Sequence, residues 1–205
     1  MNEERFNRGY DTTTYVNNLR NYRSFVKRLM GEAEADSGHV SDLKEATAQR
    51  PKPVRVTMMT EDWCGDSACN IPVLDDLFKR AGIEFRVFRG SEETDLKEMY
   101  ESQGADHIPV VSVWDGSGEE LARWIESPHA VGEKKAAWKK EHPEFGELYE
   151  KQKTDKDAAK QFASLYRRFI EEMAEWYKSD MWSETTREIV EMVKQGNKHE
   201  SSAQA

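Results

Sequence analysis

The stretch Glu61-Asp62-Trp63-Cys64-Gly65-Asp66-Ser67-Ala68-Cys69 decides the fold, because it separates two segments of different period. Before it, Val54, Val56 and Met58 alternate with Arg55 and Thr57, the pattern of a strand. After it, Ile71, Leu74, Leu77, Phe78 and Ala81 step by three and four along a helix over 65–81 that Gly82 stops. Cys64 therefore falls at a strand-to-helix junction. Unpaired amides of a first helical turn favour the thiolate, the form that attacks disulfides and peroxides. A buried structural cysteine is the plainer alternative.

Working outward, residues 83–88 (Ile-Glu-Phe-Arg-Val-Phe) read as a second strand, so a β-α-β unit with a parallel pair is expected. A helix over 93–103 closed by Gly104 follows, then Val110 to Trp114, a turn at 115–118, and Glu120 to Trp124 as a hairpin. The fold class is α/β: a small mixed sheet covered by helices. Residues 1–50 form an N-terminal helical extension, 51–128 the core, and 129–205 a C-terminal helical extension. In the first, Tyr15, Leu19, Tyr22, Val26 and Leu29 predict one helix over 14–33, capped by Asp11, Thr12 or Thr13, and a weaker helix over 41–50 stops at Pro51.

Beyond Pro128 no strand signal remains. Ala159, Phe162, Tyr166, Phe169, Met173 and Trp176 mark a long helix, and Ile189, Val190 and Val193 a second stripe after a break near Asp180. The heptad register is too short for a coiled coil, so these faces are expected to pack on the N-terminal stripe within the chain. Self-association is the lesser reading, and the residues specify no oligomeric state. Trp138, Tyr149, Trp176 and Trp182 are expected in the core. Lys134, Lys135, Lys139 and Lys140 are expected on a solvated helix face, and the polar tail 199–205 is expected to fray.

The chain has 205 residues, and six Trp, eight Phe and seven Tyr supply a core despite 34% charged residues. The net charge of −9 is concentrated in the middle: residues 51–128 carry 16 acids and 8 bases. Such a surface repels phosphate backbones and anionic lipid, which argues against nucleic acid and membrane partners. No apolar run reaches the roughly 18 residues of a membrane span, and Met1 to Arg5 lack the order of a signal peptide, so a cytoplasmic location is expected. Two cysteines are too few and too close for a disulfide framework.

At Trp63-Cys64-Gly65 the chain resembles the thioredoxin-like family, whose active site opens Trp-Cys-Gly at the start of a kinked helix and faces a cis-proline. Pro72 sits where that helix kinks, and Ile108-Pro109, 45 residues after Cys64, matches the cis-proline at the head of the hairpin. The resemblance covers residues 51–126. It implies a thiol-disulfide oxidoreductase in which Cys64 attacks, Trp63, Gly65, Asp66, Ile108 and Pro109 contact substrate, and a protein or small-molecule disulfide is the partner.

The departures bear on function. The family's resolving cysteine is replaced by Ser67, which can hydrogen-bond a thiolate but cannot close a disulfide. Positions five apart on a helix lie about 8.6 Å apart, beyond the roughly 7 Å disulfide limit, so Cys69 reaches Cys64 only if the Pro72 kink unwinds the turn between them. An external thiol reductant is then the expected resolving partner. Asp62 and Asp66 oppose the helix dipole at the sulfur, although Asp66 also reads as an ordinary first-turn acid. Met58, where thioredoxins bury an acid, is expected to fill the core, and His107 to be a solvent-exposed loop residue. A zinc site from Cys64, Cys69 and His107 would lack a fourth ligand, so neither metal nor cofactor is expected. The competing reading is a redox-inactive binding or structural module on the same fold, for which the helical extensions form the partner surface.

Overall fold

Four short strands, each alternating between two buried faces, form one sheet in the order β2-β1-β3-β4: β1 (Arg55–Thr60), β2 (Glu84–Arg89), β3 (Val110–Trp114) and β4 (Glu120–Ile125). The computed structural model describes residues 1–48, 50 and 53–196; Pro51 and the tail 199–205 lie outside the described residues. β1 runs parallel to β2, with Met58 opposite Val87, and antiparallel to β3, which pairs antiparallel with β4. This is the mixed sheet expected of the β-α-β unit and hairpin.

Ten α-helices among the described residues cover it: α1 (Glu3–Arg8), α2 (Thr12–Asn17), α3 (Arg23–Met30), α4 (Ser37–Ala48), α5 (Gly65–Ala81), α6 (Thr94–Ser102), α7 (His129–Glu141), α8 (Glu144–Lys151), α9 (Lys156–Trp176) and α10 (Trp182–Gln195). On one face Val56, Met58, Val87, Val111, Val113 and Trp124 share a core with α5 and with both helical extensions. On the other, Met59, Phe88, Val110, Trp114 and Ile125 pack with Leu96, Tyr100 and Ala105 of α6 and its following loop. Two hydrogen bonds satisfy polar groups on this second face: Trp114 Nε1 donates to Thr57 Oγ1 at 2.8 Å, and the Tyr100 and Ser112 hydroxyls pair at 2.8 Å.

The single N-terminal helix predicted over 14–33 is two helices. Asp11 caps α2 by accepting from the Thr14 amide, but the chain breaks after Asn17, and Tyr22 adopts φ 57° before α3 begins. Tyr15, Val16 and Leu19 and then, after the break, Val26 and Leu29 all reach one core. Residues 3–8, to which the sequence pattern assigns no element, form α1 around buried Phe6, and Tyr10 bridges to Val87 at the edge of β2. The expected break near Asp180 is a π-helical turn, Tyr177–Met181, that joins α9 to α10 without ending the helix.

The C-terminal helices share a core with the predicted 15–29 stripe, but their direct polar contacts with the N-terminal extension fall on α4 and on Glu32. His39 Nδ1 lies 2.8 Å from Thr186 Oγ1, and Lys194 pairs with Asp42 and Lys178 with Glu32. The same helices buttress α5 around Pro72. Trp182 Nε1 donates to the Cys69 carbonyl at 2.8 Å, while Tyr177 and Thr185 hydroxyls satisfy Asn70 at 2.9 and 2.8 Å. Proline inside a helix removes a backbone donor, and this buried polar network pins the turn that precedes it.

Candidate functional site

Cys64 is the N-cap of α5, with extended backbone, so its side chain faces the opening turn of the helix. The Ser67 amide donates to its Sγ at 3.5 Å, and the thiol donates to the Ile108 carbonyl at 3.5 Å. The Ile108–Pro109 peptide is cis. Trp63, Cys64, Gly65, Ser67, Ile108 and Pro109 are thus brought together at one end of the sheet. Cys69, one turn further on and fully buried, is free, as is Cys64. The Ser67 hydroxyl is buried and pairs with Thr60 Oγ1.

The thiol is at the helical tip but it is not accessible: Cys64 is 6% exposed. The void beside it, between Tyr15, Leu19, Tyr22, Val26, Asp62 and Ser67, is about 10 Å³, the room of a single water. On the opposite side the helix start meets α9. A Cβ at Gly65 would lie 3.2 Å from Ile170 Cγ1 and 3.3 Å from Met173 Cε, so glycine is what permits this approach. The C-terminal extension therefore closes over the turn that carries the sulfur.

Electrostatics follow from that closure. Burial pushes the Cys64 thiol up to about 11, the Asp66 carboxylate adds to the effect, and the Ser67 contacts and Lys135 oppose it without cancelling it. Asp62, expected to act with Asp66 against the thiolate, is instead matched by Arg89, whose Nε lies 2.8 Å from Asp62 Oδ1. Burial also raises Cys69 well above its ordinary value. Desolvation is the largest influence on the thiol, and residue spacing does not reveal it.

Asp66 is more than a first-turn acid. Its Oδ1 lies 2.6 Å from Lys135 Nζ, an ionic contact outside hydrogen-bond geometry, and Lys135 also pairs with Glu126 at 3.2 Å and donates to Ser127. Lys135 was expected on a solvated face and is buried at 8% exposure. Its anions come from α5 and from the end of β4, so no local charge pattern marks it. Burial raises Asp66 and opposes the charge on Lys135, while the mutual attraction lowers Asp66 and raises Lys135. Met58 fills the core as expected, and His107 is half-buried, with its side chain 42% exposed, and pairs with Asp106.

Next to this closed thiol lies an open groove of about 1140 Å³. Its lining includes Trp63 and Tyr22, Phe145, Tyr149, Phe162 and Tyr166 of α8 and α9, and the Asp66–Lys135–Glu126 cluster. Phe162 and Tyr166 stack at 5.5 Å, and Tyr149 meets Phe162 at 5.6 Å. Tyr149, expected in the core, is 49% exposed here and Trp63 is 59% exposed. The groove was not legible beforehand, since it exists only where α8 and α9 fold back on the Trp63 loop.

No curated protein matches the chain. Among solved structures, a protein of unknown function from Pseudomonas aeruginosa has the same fold, with a TM-score of 0.54 at 17% identity over 93% of this chain and 95% of that one. An HIV epitope scaffold aligns at a TM-score of 0.49 and 24% identity, covering 62% of this chain and 78% of the scaffold. The family model described as Thioredoxin matches residues 2–139, which takes in the N-terminal helices, the whole sheet and most of α7. The chain belongs to that thioredoxin family.

Proposed function

We propose that this protein is a redox-idle binding module on a thioredoxin fold, whose working surface is the groove built against Trp63 by the C-terminal helices. One observation carries the reading: Cys64 is sealed between the N-terminal helices and α9, beside a void that holds no more than a water. A nucleophile must reach its disulfide in line, and a thiol held at about 11 is almost wholly protonated at neutral pH. The thiol donates to the Ile108 carbonyl, a contact made by the protonated form. No helix among the described residues is long and apolar enough to cross a membrane, and the two free thiols fit the reducing cytoplasm.

A second reading is supported by the placement of Cys64 Sγ at the α5 N-cap, 3.5 Å from the Ile108 carbonyl of the proline loop. In it, Cys64 attacks a protein or small-molecule disulfide and releases one thiolate. An external thiol then resolves the mixed disulfide and regenerates Cys64, with Cys69 the lesser resolving candidate. The two readings separate in a turnover assay with a small aromatic disulfide and excess dithiol, run beside Cys64→Ser. The module reading predicts identical background rates for both proteins. Turnover above background that disappears in Cys64→Ser establishes the oxidoreductase.

A further inference from the structure

Among the described residues, Trp63 and Tyr149 are the large apolar side chains left exposed, and both line the same groove. They come from different elements: Trp63 precedes the α5 N-cap, and Tyr149 lies on α8. Trp63 makes no ring contact among the described residues, whereas Tyr149 leans on Phe162, which stacks on Tyr166. Lys153 Nζ lies over the Tyr149 ring at 5.2 Å from its centroid, and a flat aromatic body in the groove would cover the exposed Trp63 ring and the surface of Tyr149 that remains open. Such stacking adds to the burial of apolar area.

The charges of the lining choose the sign of the ligand. The lining carries three cations, Lys135, Lys139 and Arg167, against two acids, Asp66 and Glu126. Lys135 lies between the two acids, at 2.6 and 3.2 Å, and is committed to them. Lys139 and Arg167 are exposed and hold no ion pair among the described residues; Lys139 reaches Asp66 only at longer range. On a chain of net charge −9, this leaves two uncommitted cations beside an aromatic slot. Opposite charge at a concave, partly apolar site raises the local concentration of an anion and orients it.

We infer that the groove binds a small planar aromatic anion, its ring held against Trp63 and the Tyr149–Phe162 pair and its acidic group directed to Lys139 and Arg167. The inference rests on the binding-module reading, and the two fail separately. Turnover dependent on Cys64 would overturn the module with groove binding intact, and loss of the anion preference would overturn the ligand class with Cys64 still idle.

The test is calorimetric titration of the full chain with three probes of one shape: 1-naphthoate, 1-naphthalenemethanol and 1-naphthylmethylammonium, at low ionic strength. Naphthoate is expected to bind at least tenfold more tightly than the alcohol, and the ammonium more weakly than either. The double variant Lys139→Gln/Arg167→Gln, which alters two exposed residues, is expected to bring naphthoate and alcohol within about twofold of each other. Trp63→Ala is expected to weaken both at least fivefold. Equal binding of all three probes, a preference for the ammonium, a preference that survives the double variant, or no heat from any probe up to its solubility would each overturn the inference. Circular dichroism of every variant is recorded first, and Trp63→Phe replaces Trp63→Ala if the latter loses its helical signal.

Discussion

Replacing Lys135 by Met keeps the bulk of the side chain and removes its charge from between Asp66 and Glu126. At an effective dielectric of about 20, unit charges at the 2.6 Å of the Lys135–Asp66 contact attract by roughly 6 kcal/mol, and most of that offsets the cost of taking both from water. Removing one partner leaves the other buried without a counter-ion, which typically costs about 3–5 kcal/mol. Both side chains keep some solvent contact, so a loss near 3 kcal/mol is expected at pH 7.5. The loss carries a pH signature. Burial already raises Asp66, and without Lys135 it rises further. A carboxyl whose folded value is raised contributes stability that is present below its unfolded value and is lost as pH rises through the folded one. The deficit of Lys135→Met against wild type should therefore be small near pH 4, grow as pH rises and level off. Urea denaturation across pH 4 to 7.5 measures it. Adding Asp66→Asn to Lys135→Met should recover most of the deficit at pH 7.5 and flatten its pH dependence. A deficit of the same size at every pH, or one below about 1 kcal/mol at pH 7.5, would refute the reasoning.

Gly65→Ala is expected to lose about 1–2 kcal/mol in denaturant midpoint experiments, because its Cβ meets Ile170 and Met173 at 3.2–3.3 Å, and Ile170→Val should relieve part of the loss. Trp63→Ala should change stability by no more than about 0.5 kcal/mol by the same measurement, as expected for an exposed side chain without a structural partner. Asp11→Ala should cost about 1 kcal/mol, through loss of the cap on the Thr14 amide at 2.8 Å.

Parts of the molecule written in local pattern were legible from the residues. The change of period across Trp63-Cys64-Gly65, the stop at Gly82 and the hairpin after Pro109 placed the sheet and α5 to within a residue or two. The N-terminal helices were misjudged because Tyr15, Leu19, Tyr22, Val26 and Leu29 keep helical spacing across a break. The break depends on the left-handed backbone of Tyr22, a conformation that no glycine announces. At the site, the change of period placed the cysteine, and the resemblance to the thioredoxin-like family supplied the serine position and the facing proline. What decides their chemistry was not legible. The residues that close around Cys64 come from the separate N-terminal helices, α9 packs on the neighbouring Gly65 from more than a hundred residues later in the chain, and the partners of Lys135 come from two other elements. The positive cap on the acids and the open aromatic groove are both products of long-range packing, to which helical periodicity is blind.

The central claim, that packing of the N-terminal helices around Cys64 and of α9 on Gly65 holds the thiol closed and protonated, is tested most directly by the pH-rate profile of its alkylation. Native protein is treated with iodoacetamide and modification at Cys64 is read by peptide mass spectrometry. At pH 7.5 a thiol titrating at about 11 is ionised to roughly three parts in ten thousand, against about one part in ten for a free cysteine. The account predicts a rate at least about a hundredfold below that of a free cysteine and no inflection below pH 10. An inflection below pH 8, or a rate at neutral pH close to that of an unhindered thiol, would contradict it.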